Sequence, residues 1–158
     1  MINECDWKYQ TRNDAWNTSC DRTAQGIIPG IQTVVVGNAP NMISYNTDPY
    51  GTWDTATYTY TCGKDAYYRL TYKINAQVAS LQQLDVYVND GTNKHLWQTY
   101  NNVNPLQETY CFTGSEVVFI TSGTVLRVEV DSSLGGGLLI GSSPTQDGNF
   151  LQIVYEGV

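Results

Sequence analysis

Tyr68-Arg69-Leu70-Thr71-Tyr72-Lys73-Ile74-Asn75-Ala76-Gln77-Val78 is the stretch whose reading decides the fold. Its even-numbered residues are apolar or aromatic and its odd-numbered residues are polar or charged. Successive side chains of a strand point to opposite faces, so this alternation predicts one long strand with a core face and a wet face.

Working outward, the same period recurs. On the C-terminal side, Leu84, Val86 and Val88 alternate before Asn89-Asp90-Gly91, whose Asp-Gly step predicts a hairpin into a strand near residues 95–100. Thr109 to Ile120 reads as two short apolar pieces around Thr113-Gly114-Ser115. Ser122-Gly123-Thr124 then turns into Leu126, Val128 and Val130, alternating with Arg127 and Glu129. A glycine-rich apolar segment spans residues 133–143, and the closing run Asn149 to Tyr155 is apolar on both faces. On the N-terminal side, Tyr58 and Tyr60 alternate with Thr57, Thr59 and Thr61. Asn46 to Asp54 reads as a loop, Met42 to Tyr45 as a short piece, and Ile31 to Val36 as the first apolar run. Residues 1–30 lack a clean period and read as an irregular N-terminal arm, leaving 31–158 as one domain. About eight antiparallel strands at this spacing predict an all-β sandwich of jelly-roll type.

Composition agrees. Only 15% of the 158 residues are charged, against roughly 25% in an average soluble domain, and Thr, Tyr, Asn and Gly fill the gap. The first two suit strands and the last two suit turns. The net charge of -7 argues against nucleic acid and anionic membranes, because phosphate binding needs a basic stripe. No apolar run approaches the roughly 20 residues of a membrane span, so no membrane insertion is expected. The N-terminal residues are neither basic nor apolar enough for a signal peptide, which predicts synthesis in the cytosol.

The jelly-roll pattern carries a resemblance. Tyr50-Gly51-Thr52-Trp53-Asp54, then Thr57 to Thr61, then Ala66-Tyr67-Tyr68-Arg69-Leu70, together with Ile120 to Val128 and Asn149-Phe150-Leu151-Gln152-Ile153, resembles the globular heads of complement q-subunits and the related tumour necrosis factor jelly roll. The resemblance spans Ile31 to Tyr155. It departs at Thr124, where that family prefers Asp, and at Asp65-Ala66, where it prefers Gly. It implies a ten-stranded jelly roll in a tight homotrimer, used in secreted ligands, recognition proteins, spore fibres and phage virions. A start without signal or collagen repeats fits the phage use.

Catalytic chemistry is not legible. His95 is the sole histidine, so a triad or a His-rich metal site has one imidazole to draw on. The carboxylates are scattered. Asp48, Asp54, Asp85 and Asp90 lie beside turns, where capping is the simpler role than calcium binding. Gly135-Gly136-Gly137 lacks the ending of a phosphate loop. Cys5, Cys20, Cys62 and Cys111 form no Cys-x-x-Cys pair. They read as buried free thiols, although Cys5 and Cys20 can bridge in an oxidising setting. The expectation is therefore no catalytic residue, no metal and no cofactor.

Binding residues are better candidates. Tyr50, Trp53, Trp97 and Tyr100 lie in or near connections, where aromatics stack on sugars or anchor partners; packing under loops is the alternative. Trp7, Tyr9 and Trp16 are candidate anchors in the arm. The double-faced closing run needs a second cover, which a threefold axis would supply, so Phe150, Val154, Tyr155 and Leu139 are the candidate trimer contacts. Three uses follow. The first is a trimeric bacteriophage virion part (head fibre, capsid decoration or receptor-binding knob) held to other virion proteins by the arm. The second is a lectin-like module for host-surface glycans, and the third a carbohydrate-active enzyme.

Overall fold

The computed structural model describes residues 23–28, 32–35, 39–40, 42–46, 50–133, 137–140 and 149–158. Among them the strands are β1 (Thr23–Ile27), β2 (Gln32–Val35), β3 (Ile43–Asn46), β4 (Gly51–Asp54), β5 (Thr59–Cys62), β6 (Ala66–Val78), β7 (Gln83–Asn89), β8 (Lys94–Asn101), β9 (Glu108–Ile120), β10 (Val125–Ser132), β11 (Gly137–Ile140) and β12 (Phe150–Gly157).

The long strand is where the alternation puts it. Tyr68, Leu70, Tyr72, Ile74, Ala76 and Val78 are fully buried, and the odd-numbered residues between them face outward. At about 3.3 Å per residue, the thirteen residues of β6 span roughly 43 Å. One edge of β6 pairs with β9 along its whole length, from Ala66↔Ile120 to Val78↔Glu108. The other edge is shared: β12 takes Tyr67 to Lys73, and β11 takes Ala76 and Gln77. Between them, the Asn75 N–H donates to Asn149 Oδ1 at 2.6 Å, so a buried side chain fills the missing rung. β12 pairs on with β1, β1 with β3, and β11 with β2.

A second sheet, in the order β4-β5-β10-β7-β8, packs over the first. Leu84, Val86 and Val88 on β7 and Leu126, Val128 and Val130 on β10 are fully buried against the even side of β6. The tie across one flank is polar. The Tyr72 hydroxyl donates to Leu96 O at 2.7 Å, and the Gln98 amide accepts from Thr113 N–H while donating to Thr113 O, standing in for a strand beside β9. Burial raises the pKa of the Tyr72 hydroxyl well above its ordinary value, so it remains a neutral donor.

Several sequence expectations need correction. The domain does not begin after residue 30: β1 lies inside the first sheet, with Ala24 and Ile28 fully buried, because β12 and β3 take its two edges. The 46–54 loop contains β4, which pairs with β5 from Gly51↔Cys62 to Asp54↔Thr59. Thr57 and Tyr58 belong to the turn, Tyr58 with φ 57°, and the strand starts at Thr59. The two pieces between Thr109 and Ile120 are one strand. Gly114 does not break it, since β6 offers an unbroken partner. The glycine-rich 133–143 stretch contains β11. The β7–β8 turn is not a two-residue hairpin either: Asp90 N–H bonds to Asn93 O at 3.1 Å, spreading the reversal over four residues.

Ile74→Asp should place an unpaired charge in the core and lower unfolding stability by about 4 kcal/mol or more. Lys73→Asp, on the open face, should change it by about half a kcal/mol or less. Chemical denaturation measures both, and a soluble, cooperatively folded Ile74→Asp protein would contradict this register. Removing residues 1–26 takes Thr23 to Gly26 from β1 and should abolish the cooperative thermal transition; an unchanged transition would show that β1 is dispensable.

Candidate interface

The outward face of the first sheet is built by cross-strand rows. Gly157, Tyr67 and Phe119 form one row, then Val154, Arg69 and Val117, then Gln152, Thr71 and Ser115, and then Phe150, Lys73 and Thr113. Tyr67 and Phe119 meet edge to face with ring centroids 5.3 Å apart. Tyr67 and Phe119 are each 49% exposed and Val117 46%. No other described element covers them. Thr71 and Ser115 share a 2.9 Å hydroxyl contact in the polar middle of the face. Arg69 Nε donates to Glu156 at 2.6 Å, so its charge is partnered locally.

Of the four residues expected at a threefold contact, Phe150 and Val154 do lie on this face, both half-buried. Tyr155 does not. Its register opposite Tyr68 puts it on the core side, where it stacks on Tyr50 at 3.9 Å and meets the Tyr68 ring edge on at 5.8 Å. Leu139 is a backbone partner of Gln77 and Thr33 in β11, and its side chain lies outside the described residues. Tyr67, Val117 and Phe119, exposed on the same face, were not among the expected contacts. Their signal was present, because Tyr67 precedes the alternating run by one residue and Val117 and Phe119 are two apart on β9.

The four loop aromatics do not converge. Trp53 is on β4 at one edge of the second sheet, while Trp97 and Tyr100 are on β8 at the other. Four strand spacings of about 4.8 Å separate those edges. Trp53 is also not available to a ligand, being buried and packed edge on against Tyr60. Gly26 makes room for it: a Cβ there would sit 2.9 Å from Trp53 Cη2. The Trp53 indole N–H is buried without a partner among the described residues. Tyr50 is half-buried under Tyr155, with Lys64 Nζ 4.9 Å from its ring centroid. Tyr100 stacks on Tyr110 at 4.1 Å and donates to Glu108, a bond that raises its pKa. Trp7, Tyr9 and Trp16 lie outside the described residues, as do Cys5 and Cys20.

Trp97 is the one of the four that is open, at 56% exposure. A bulge explains it. Val86 pairs with Gln98 and Val88 with His95, so Leu96 and Trp97 stand opposite Tyr87 alone, and Leu96 takes a left-handed φ of 54°. Leu96 thereby packs on the core while Trp97 meets Tyr87 on the outer face, with Lys94 Nζ 4.7 Å from the Trp97 ring and 4.2 Å from the Tyr87 ring. Burial, followed by its bond to Glu129, pushes the Tyr87 pKa up to about 12. Glu129 is itself buried and bonded by Arg127 and by Asn89 Nδ2.

His95, Asp54, Asp85 and Asp90 are engaged in structure, and Asp48 lies outside the described residues. His95 Nε2 is 2.8 Å from Asp90 Oδ2, and its Nδ1 is 3.9 Å from Glu116. Burial opposes ionisation of Asp90, yet the Asn93 N–H, the His95 ring and the Thr92 N–H together hold its carboxyl well below the usual range. Asp54 accepts from the Ala56 and Thr57 N–H groups, which lowers its pKa. Asp85 accepts from Gln83. Cys62 is buried, whereas Cys111, expected to be buried, is exposed on the outward side of β9. Among the described residues, no three His, Cys, Asp or Glu side chains converge as metal ligands.

No family model and no curated protein matches the sequence. Solved structures do share the architecture. The Eiger tumour necrosis factor of S. frugiperda superposes with a TM-score of 0.63 at 12% identity, covering 84% of this chain and 90% of that one. The globular domain of zebrafish complement 1qA gives 0.59 at 9% identity, covering 86% and 98%. Murine APRIL gives 0.58 at 9% identity, covering 84% and 97%. At such identities the likeness is one of fold, and the fold of this chain is the jelly roll of the tumour necrosis factor and complement q-subunit domains.

Proposed function

We propose that this chain is a non-enzymatic binding and assembly domain that works as a closed homotrimer through the outward face of its first sheet. The observation that carries this reading is the half-exposed Tyr67–Phe119 ring pair, with Val117 and Val154 in the next row and no covering element among the described residues. Contiguous apolar surface of this kind marks an interaction site, and closed symmetry is the usual way a chain covers its own apolar face. A threefold axis brings three copies of each ring to one level. The tumour necrosis factor-like fold supports the same state. The engagement of His95, Asp54 and Asp90 in turn geometry supports a role without catalysis.

The finer reading is a bacteriophage virion part, namely a head fibre, capsid decoration or receptor-binding knob, assembled in the host cytoplasm. In it, residues before Thr23, with Trp7, Tyr9 and Trp16, attach the trimer to other virion proteins. That setting rests on the sequence expectation alone. A host-surface glycan is the ligand class that suits Trp97, whose exposed ring lies beside the Lys94 ammonium.

Light scattering should give about three times the 17.6 kDa chain mass. Phe119→Glu should yield folded monomers, because three carboxylates would meet in a low-dielectric contact. Position 119 is a cleaner test than 154, since Glu at 154 would stand opposite Arg69. A monomeric wild type would refute the trimer. Particle imaging with the chain labelled should place it on a virion surface; glycan binding by a free protein would favour the lectin-like use instead.

A further inference from the structure

On the outward face of the second sheet, register sets out two neighbouring rows of different chemistry. Trp97, Tyr87 and Glu129 form one row across β8, β7 and β10, and Thr99, Asp85 and Asp131 form the next. Residues two apart on a strand share a face, so the rows lie about 7 Å apart. The first row is aromatic and braced from beneath. Tyr87 is buried and bonded to Glu129, which Asn89 and Arg127 hold in turn. Trp97 stands beside this floor with more than half of its surface open. Packing of Leu96 on the core accounts for the bulge, but it does not account for an indole at the position that the bulge turns outward.

The second row is acidic. Asp85 and Asp131 are direct cross-strand partners, a pairing of like charges that opposes folding. Each uses one oxygen locally: Asp85 Oδ1 accepts from Gln83 Nε2 at 3.3 Å, and Asp131 Oδ1 from Ser132 N–H at 2.8 Å. Among the described residues no cation pairs with either. Both carboxylates line a depression of about 190 Å³ with Gln83, Ser132 and Ser133. After burial and Glu129, the charge of Asp131 is a further cause of the raised Tyr87 pKa, so the two rows are within electrostatic reach of each other.

From this arrangement we infer that the face binds a neutral pyranose glycan, one sugar ring stacking its C–H face on Trp97 while hydroxyls on its rim donate to Asp85 and Asp131. The inference rests on the glycan reading proposed above and adds the sugar class and the contacts. A pyranose uses both rows, because it has apolar C–H groups on the face of its ring and donors around the edge. An indole takes the first. Ionised carboxylates only accept, and they form the stronger, charge-assisted bonds with hydroxyl donors. The charges on the face select among ligands. A cationic side chain could also meet an indole and two carboxylates, but Lys94 Nζ already lies 4.7 Å from the Trp97 ring and 4.2 Å from the Tyr87 ring, so a second cation is repelled there. An acidic sugar is opposed by Asp85 and Asp131 in the row that its rim must reach.

The test is calorimetric titration of the full chain, with and without EDTA, using neutral glucan, galactan and mannan oligosaccharides, sialyllactose and an oligolysine peptide. The wild type should bind a neutral oligosaccharide, equally well in EDTA. Trp97→Ala should weaken that binding by about tenfold or more. Asp131→Asn should weaken it by a similar factor while the thermal midpoint stays level or rises, because the like-charge pair is gone; a merely structural Asp131 would lower the midpoint. Neutral-sugar binding that survives Trp97→Ala, a preference for sialyllactose, or a requirement for a divalent ion overturns this site and leaves the glycan reading standing. Absence of binding to every sugar overturns both. Oligolysine binding that Trp97→Ala abolishes overturns the inference in favour of a basic protein partner.

Discussion

The structure depends on β6 burying every second side chain over thirteen residues while both of its edges are paired. A register slip of one residue would exchange its two faces and bring Arg69, Lys73 and Gln77 into the core. With β9 along one edge and β12 and β11 sharing the other, that slip is blocked from both sides. The second sheet then needs only to present Leu84, Val86, Val88, Leu126, Val128 and Val130 to the buried side. Hydrophobic burial supplies the drive, and strand pairing supplies the uniqueness.

The buried polar groups shape what the apolar core leaves open. Asn149 occupies the rung between β12 and β11 on the edge of β6, and its carbonyl accepts from Ile28 N–H at 3.0 Å, so one residue ties three strands. Asn102 and Gln82 do the same for the β6–β7 and β8–β9 connections at the far end. Each is buried and each has its side-chain amide hydrogen-bonded, which is the condition under which such a group fixes geometry rather than destabilising it. Glu129 is a charged counterpart on the outer face of the second sheet, held by Arg127, Asn89 and Tyr87. Together they hold rigid the surfaces that remain: an aromatic sheet face and an open indole on a bulge.

Those surfaces differ chemically. The sheet face is broad and aromatic, and on the proposed reading further copies of the chain cover it. The Trp97 surface pairs a flat ring with a cation and suits a polar ligand with an apolar side. On the proposed reading, a domain that assembles through one of them retains the other for outside partners.

By itself the sequence determined the architecture. The alternation in Tyr68 to Val78, in Leu84 to Val88 and in Leu126 to Val130 fixes which side of each strand faces the core, because strand geometry allows no other reading of period two. The parity of the closing run likewise put Phe150 and Val154 on the face away from Leu151 and Ile153. Tertiary structure decided the rest. β1 and β11 have no alternation strong enough to announce them and exist because β12, β3 and β6 offer unpaired edges. The bulge at Leu96, which exposes Trp97 while Trp53 is buried beside Gly26, depends on a two-against-one pairing that a single strand cannot encode. The partnership of Tyr67 with Phe119 joins residues 52 positions apart, and Asn102 joins two connections more than twenty residues apart. Such juxtapositions arise from register between distant segments, and register is set only when the whole core closes.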